Sequence, residues 1–130
     1  MRGRWECRVA VVDDDETVRR SIGRLVRAYG FEAKEYSSGE EFLRSLEAFE
    51  PDCVVLDIHM PDIDGFETQA RLAAAGPGIP VVVVTGHDGP GSRERAIAGG
   101  ASDYLRKPVE SLELIRAIRE AMAGRGHREP

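Results

Sequence analysis

Four candidate strands in this chain end on, or are followed by, a side chain that can handle charge. "RVAVV" (8–12) runs into Asp13, Asp14 and Asp15; "CVVL" (53–56) runs into Asp57; "VVVV" (81–84) ends on Thr85; and the run at 102–106 is followed by Lys107. An isolated buried carboxylate is costly, so Asp57 at the end of so apolar a stretch asks for a partner. Crowded carboxylates repel, and one takes up a proton unless a cation intervenes. Mg²⁺ (or Mn²⁺) suits such a set, because a hard ion of this kind is held by one or two carboxylates plus water and phosphate oxygens. A carboxylate is also a nucleophile toward phosphorus, giving an aspartyl phosphate. A metal ion and a lysine would then stabilise charge on the transferred phosphoryl oxygens, and the Thr85 hydroxyl could hydrogen-bond the attached group.

Taken singly, each residue has a plainer reading. Asp13 to Asp15 favour a helix N-terminus by their charge, and Asp15 remains best read as a cap. Thr85 fits a strand because it is β-branched. Tyr104 alone reads as a half-buried edge aromatic with a wet hydroxyl. His59 and His87 lie two residues after Asp57 and Thr85; each is either a solvated loop residue or a group beside the reacting centre. The basic residues are nearly all arginine, with Lys34 and Lys107 the two lysines. A lysine at a special position then hints that a slender point charge is needed there, not a planar fork.

Such residues must be brought together by the elements that carry them. Five apolar runs alternate with five helical patterns. After Asp15, Val18, Ile22, Leu25, Val26 and Tyr29 recur at helical spacing, and Gly30 closes the helix. "FEAKEY" (31–36) reads as an edge strand. "SSGEEFLRSLEAF" (37–49) reads as a helix opened by a capping box from Ser38 to Glu41, with Phe42, Leu46 and Phe49 inward. Asp64 starts the third helix, with Glu67 placed for a reciprocal cap. "IPVVVVT" (79–85) is the most apolar strand and belongs in the sheet interior. The glycine-rich 86–92 segment reads as mobile, with a short helix over 93–98. A fifth strand falls within 102–108, and a last helix runs from about Glu110 to Ala123 with Leu114, Ile115, Ile118 and Met122 inward. This alternation predicts an α/β fold, a parallel sheet covered on both faces with right-handed crossovers. Ligands in such sheets bind beyond the carboxyl ends of the strands. A dinucleotide site is disfavoured, since three aspartates stand where a glycine-rich phosphate turn would be.

The chain has 130 residues and a net charge of -5, which suits one domain and disfavours non-specific nucleic-acid binding. Cys7 and Cys53 form no zinc or redox pattern and read as small buried thiols. No apolar run approaches the ~20 residues of a membrane span, and no export signal is seen at the N-terminus; a cytoplasmic location is expected.

Together the pieces "VVDDD" (11–15), "VVLDIHMPDIDG" (54–65), "VVVVTGH" (81–87) and "AGGASDYLRKP" (98–108) resemble the receiver domain of two-component response regulators. The resemblance covers roughly residues 7 to 123, leaving 1–6 as an extension and 124–130 as a polar tail or the start of a linker. It implies a flavodoxin-like (βα)5 sheet of order 2-1-3-4-5. It implies Asp57 as phosphoacceptor, with Asp14 and Asp57 on Mg²⁺, Asp13 helping through water and the His59 backbone carbonyl as a further ligand. It places Thr85 and Lys107 on the phosphoryl group, makes Tyr104 an aromatic switch that turns inward when Thr85 moves, and expects a cis Lys107–Pro108 bond. His59 and His87 would flank the phosphoryl group and modulate its lifetime.

The implied partners are a sensor histidine kinase or phosphotransfer protein, and a homodimer through the face of the fourth helix, fifth strand and last helix. Arg93, Arg95, Arg106, Arg116 and Arg119 on that face could meet acidic partners or a second copy, or simply be solvated. "VVVVTGHD" resembles the FixJ-like subgroup. A Mg²⁺-dependent aspartyl phosphatase is a rival, but such enzymes carry an acid two residues after the nucleophile, where this chain has His59. A pure interaction module with a vestigial acidic site is a second rival, against which stands the presence of all five key side chains.

Overall fold

The computed structural model describes residues 7–75 and 78–124. Five strands, β1 (Arg8–Val12), β2 (Glu32–Tyr36), β3 (Cys53–Asp57), β4 (Val81–Thr85) and β5 (Ala101–Arg106), alternate with α1 (Glu16–Ala28), α2 (Gly39–Arg44), α3 (Gly65–Ala75), α4 (Ser92–Ala98) and α5 (Ser111–Gly124). The strands form one parallel sheet in the order β2-β1-β3-β4-β5. β3 and β4 are buried along their whole length, while β2 at the edge alternates between exposed and covered positions. Successive strand side chains point to opposite faces, which divides the core in two. Val9, Val11, Val55, Val82 and Val84 meet α1 and α5 through Val26, Ile115 and Ile118. Val12, Val54, Leu56 and Val83 meet the other three helices through Phe42, Leu72 and Ala96. Cys7 and Cys53 are buried, as expected of small thiols.

Local details differ from the sequence reading, each for a physical reason. The second helix stops at Arg44, short of residue 49. The Ser45 hydroxyl donates to the Phe42 carbonyl at 2.7 Å, and the chain continues as turns that still bury Phe49. Ser38 caps α2 through the Glu41 N–H, but the Glu41 carboxylate reaches the Ser37 N–H at 2.8 Å, one residue earlier than a capping box requires. Asp64 caps α3 through the Glu67 N–H, whereas the Glu67 side chain pairs with Arg71 one turn on at 2.9 Å. Tyr29 is exposed at the C-cap of α1, with Arg119 of α5 stacked 6.0 Å from its ring centroid. Gly30, at φ 94°, carries the chain out of α1 as predicted. The 1–6 extension and the part of the proposed 124–130 tail beyond Gly124 lie outside the described residues.

Candidate functional site: an acidic pocket at the carboxyl ends of the strands

The strand order puts the ends of β1, β3, β4 and β5 side by side. β1 delivers Asp13 and Asp14, and Asp15 caps α1 by accepting the Val18 N–H at 3.2 Å. The turn is held on several sides. The Asp13 N–H donates to the Tyr36 carbonyl at 3.1 Å, Asp13 Oδ1 accepts the Asp15 N–H at 2.9 Å, and the Arg19 guanidinium donates to the Asp13 carbonyl at 3.0 Å. β3 ends on Asp57, whose backbone lies against Gly65: a Cβ there would sit 2.5 Å from the Asp57 carbonyl oxygen. The absent side chain lets α3 start directly against the acidic site.

One oxygen each from Asp13, Asp14 and Asp57 lie within 4.8 Å of one another. Asp13 and Asp57 are buried, at 2% and 5% exposure, and Asp14 faces solvent. Lys107 bridges the buried pair, with Nζ 2.8 Å from Asp13 Oδ2 and 3.4 Å from Asp57 Oδ1. The electrostatics are those of an unresolved conflict. Burial, and next the Asp13 charge, push Asp57 up from 3.8 to about 6, against the opposing pull of Lys107 and the His59 backbone N–H. Burial alone would lower the Lys107 ammonium, but its bonds to Asp13 and Asp57 prevail and raise it. An all-oxygen donor set carrying excess negative charge fits a hard divalent cation.

Thr85 is fully buried at the end of β4. Its hydroxyl donates to the His87 carbonyl at 2.9 Å and accepts the His87 N–H at 3.1 Å. His59 Nε2 lies 3.1 Å from the same carbonyl, and the His59 and His87 rings meet edge to face with centroids 5.1 Å apart. The two histidines therefore tie the β3–α3 loop to the β4–α4 loop beside Asp57. The backbone N–H of Lys107 donates to the Thr85 carbonyl at 2.8 Å, and the Lys107–Pro108 bond is cis.

Tyr104 departs from its plain reading. It is 5% exposed, and its hydroxyl donates to Asp88 Oδ1 at 2.8 Å. The ring is thus already inward while Thr85 is bonded to His87. Sequence reasoning passed over Asp88 and Arg19. The signal for Asp88 was Tyr104 and Arg106 two apart on one strand, a phenol and a cation able to share one carboxylate. Within the glycine-rich segment, His87 bonds to Thr85 and lies 3.1 Å from His59 through its carbonyl, and Asp88 bonds to Tyr104. Of the five arginines named above, Arg93 donates to the Tyr104 carbonyl at 3.2 Å, Arg95 stacks 4.0 Å over Phe66, and Arg106 pairs with Asp88 at 3.3 Å.

The family model for the response regulator receiver domain matches residues 9–119. The chain is 35% identical over 114 residues to the response regulator protein TmoT of Ectopseudomonas mendocina, covering 88% of this chain and 52% of that protein. It is 39% identical over 119 residues to the transcriptional regulatory protein PrrA of Mycobacterium tuberculosis, covering 92% and 51%. The chain thus spans about half the length of the curated relatives it matches. Among solved structures, that of FixJ-N superposes with a TM-score of 0.84 at 33% identity, covering 95% of this chain and 96% of that one. With its sheet order, helices and matched residues, the chain belongs to the receiver domain family of two-component response regulators.

Proposed function

We propose that this receiver accepts a phosphoryl group on Asp57 from a sensor histidine kinase or phosphotransfer protein. The observation that carries the reading is the acidic trio within 4.8 Å, bridged by Lys107. Asp14 and Asp57 would hold Mg²⁺ (or Mn²⁺) directly, Asp13 through water, and the His59 carbonyl would add a further oxygen. When bound, the ion neutralises the pocket and stabilises charge on the phosphoryl oxygens. An Asp57 carboxylate oxygen attacks phosphorus; the bond to the donor nitrogen breaks, and the leaving imidazole takes a proton from solvent. Lys107 moves from its shared position between the carboxylates onto a phosphoryl oxygen, and the Thr85 hydroxyl donates to another. Water later attacks the acyl phosphate, and His59 and His87 at the mouth of the site set how readily it approaches. The domain promotes its own phosphorylation and slow hydrolysis without being a turnover enzyme.

Phosphorylation takes Asp57 from a formal charge of −1 to near −2, which biases the surface of β4, α4, β5 and α5, with Tyr104 as its aromatic reporter. That surface would address a second copy of the chain or an output partner, in the cytoplasm. Among the described residues no helix is long and apolar enough to cross a membrane, and the net charge of -5 argues against direct nucleic-acid binding by this chain.

The test is intact-mass spectrometry after incubation with Mg²⁺ and acetyl phosphate. One added phosphoryl group is expected on the wild type, and none on Asp57→Asn or in EDTA. A folded wild type that takes up nothing from several donors would sink the reading.

A further inference from the structure

Asp14 is the exposed member of the acidic trio, and its carboxylate has no hydrogen bond or ion pair among the described residues. Its place is therefore set by the backbone that carries it. The Asp14 nitrogen shares one planar peptide unit with the Asp13 carbonyl, and that carbonyl accepts from the Arg19 guanidinium at 3.0 Å. The other polar atoms of Asp13 are committed elsewhere: its N–H to Tyr36, Oδ1 to the Asp15 N–H and Oδ2 to Lys107. Arg19 thus holds the one group of the turn that leads directly into Asp14.

Arg19 is itself held from β2. Its Nε lies 3.8 Å from Glu35 Oε1, and the two side chains are 16% and 20% exposed. The other Glu35 oxygen accepts from Arg27 at 3.0 Å, and Arg27 also donates to the Ala33 carbonyl at 3.1 Å. Gly23, between the two arginines on the same face of α1, makes the room: a Cβ there would strike the Glu35 carboxylate. Exposed ion pairs of this kind add little stability. What the pair supplies is direction, since a planar fork aimed by one partner presents its remaining N–H groups at a fixed angle to another.

We propose that Arg19 is a positioning residue for the cation site: aimed by Glu35, it fixes the Asp13–Asp14 peptide so that the Asp14 carboxylate stands beside Asp57, without itself touching the ion. The role toward the ion rests on the reading of the acidic trio as a divalent-cation site; the hold on the turn does not. Charge and geometry predict opposite signs. Arg19 is a cation, so by charge alone its removal would tighten a divalent ion, while neutralising Glu35 would loosen it, and the two changes would add. Acting through the turn, loss of Arg19 loosens the ion, and Glu35 matters only while Arg19 is present.

The test uses the full chain labelled with ¹⁵N and read by NMR, with the fold of each variant checked by circular dichroism. Arg19→Met keeps the apolar stem and removes the fork. In EDTA, the Asp15 N–H, bonded to Asp13 Oδ1 at 2.9 Å, is expected to exchange roughly ten-fold or more faster in Arg19→Met, for loss of one charge-assisted bond. The Ile22 and Val26 amides within α1 keep their wild-type rates. Titration with magnesium chloride, followed by the amide shifts of residues 13–15, gives the ion's dissociation constant. It is expected to rise roughly ten-fold or more in Arg19→Met, to rise less in Glu35→Gln, and to be no higher in the double variant than in Arg19→Met. An ion bound as tightly or more tightly by Arg19→Met, effects that add in the double variant, or an unchanged Asp15 exchange rate overturns the inference. So does faster exchange throughout α1, which would make Arg19 a support of the helix and not of the turn. If the wild type shows no response to magnesium, the cation reading and the role toward the ion fall together, and the exchange rates in EDTA still decide whether Arg19 holds the turn.

Discussion

Replacing Asp57 by Asn is expected to stabilise the metal-free protein at neutral pH while abolishing phosphoryl acceptance. The folded state holds the Asp57 proton more tightly than the unfolded chain does, with the group raised from 3.8 to about 6 by burial and by Asp13. A raised carboxylate adds most to stability below its unfolded value, loses that contribution between about pH 4 and 6, and costs most above the folded value. At about 1.4 kcal/mol per pH unit, the neutral-pH cost is on the order of 2–3 kcal/mol. The raised value already includes the pull of Lys107 at 3.4 Å, and Lys107 keeps Asp13 at 2.8 Å in the variant, so the expected net gain is about 2–3 kcal/mol. The assay is urea denaturation followed by circular dichroism in EDTA, across the range from about pH 4 to about pH 8. The gap between variant and wild type should narrow as pH falls and Asp57 takes up its proton. Excess Mg²⁺ should narrow it at neutral pH by binding the folded wild type. A variant less stable than wild type in EDTA at neutral pH, or a gap indifferent to pH, would refute the electrostatic reasoning.

Lys107→Met leaves the buried Asp13 carboxylate without its ion pair, and a loss of about 3 kcal/mol at neutral pH is expected in the same denaturation assay. The loss should shrink toward acid pH, as Asp57 takes up its proton and the negative charge left without Lys107 falls. Gly65→Ala would place a Cβ 2.5 Å from the Asp57 carbonyl oxygen and 2.6 Å from Ile58 Cα, both backbone atoms. Destabilisation of about 1–3 kcal/mol is expected, with reduced phosphoryl uptake by intact mass because the end of β3 must shift.

The sheet and the acidic pocket were legible because both follow from local patterns. Alternating apolar runs and helical periodicities specify a covered parallel sheet, and strand-end residues converge wherever strands run parallel. Asp13, Asp57 and Lys107 were found this way, and the order of the strands then brought them together. What was not legible depended on competition between bonds. Ser45 takes the carbonyl that would have continued α2, and Arg71 takes the carboxylate that would have closed a reciprocal cap. Tyr29 fits the helical spacing but falls at the C-cap, where its ring turns outward. Asp88 meets a tyrosine 16 positions along the chain, a contact set by how the β4–α4 loop folds over β5, which no spacing within the loop reveals.

The pocket and the β5 surface share more than proximity. Thr85 and Lys107, the two residues proposed to meet a phosphoryl group, are joined by a backbone hydrogen bond of 2.8 Å between the ends of β4 and β5. Lys107 sits nearer Asp13 than Asp57, so added negative charge at Asp57 would draw it across the pocket. At an effective dielectric of about 20, one extra charge at a few ångströms is worth about 4–5 kcal/mol before desolvation is subtracted. That is the scale on which a two-state surface is reversed. The pull on Lys107 and the demand for the Thr85 proton act on strand ends that are already bonded to each other, so they cannot be answered independently. If Asp57 is the phosphoacceptor, the conflict there makes the pocket seek added charge, and the bonded ends of β4 and β5 would carry the rearrangement to the β5 surface.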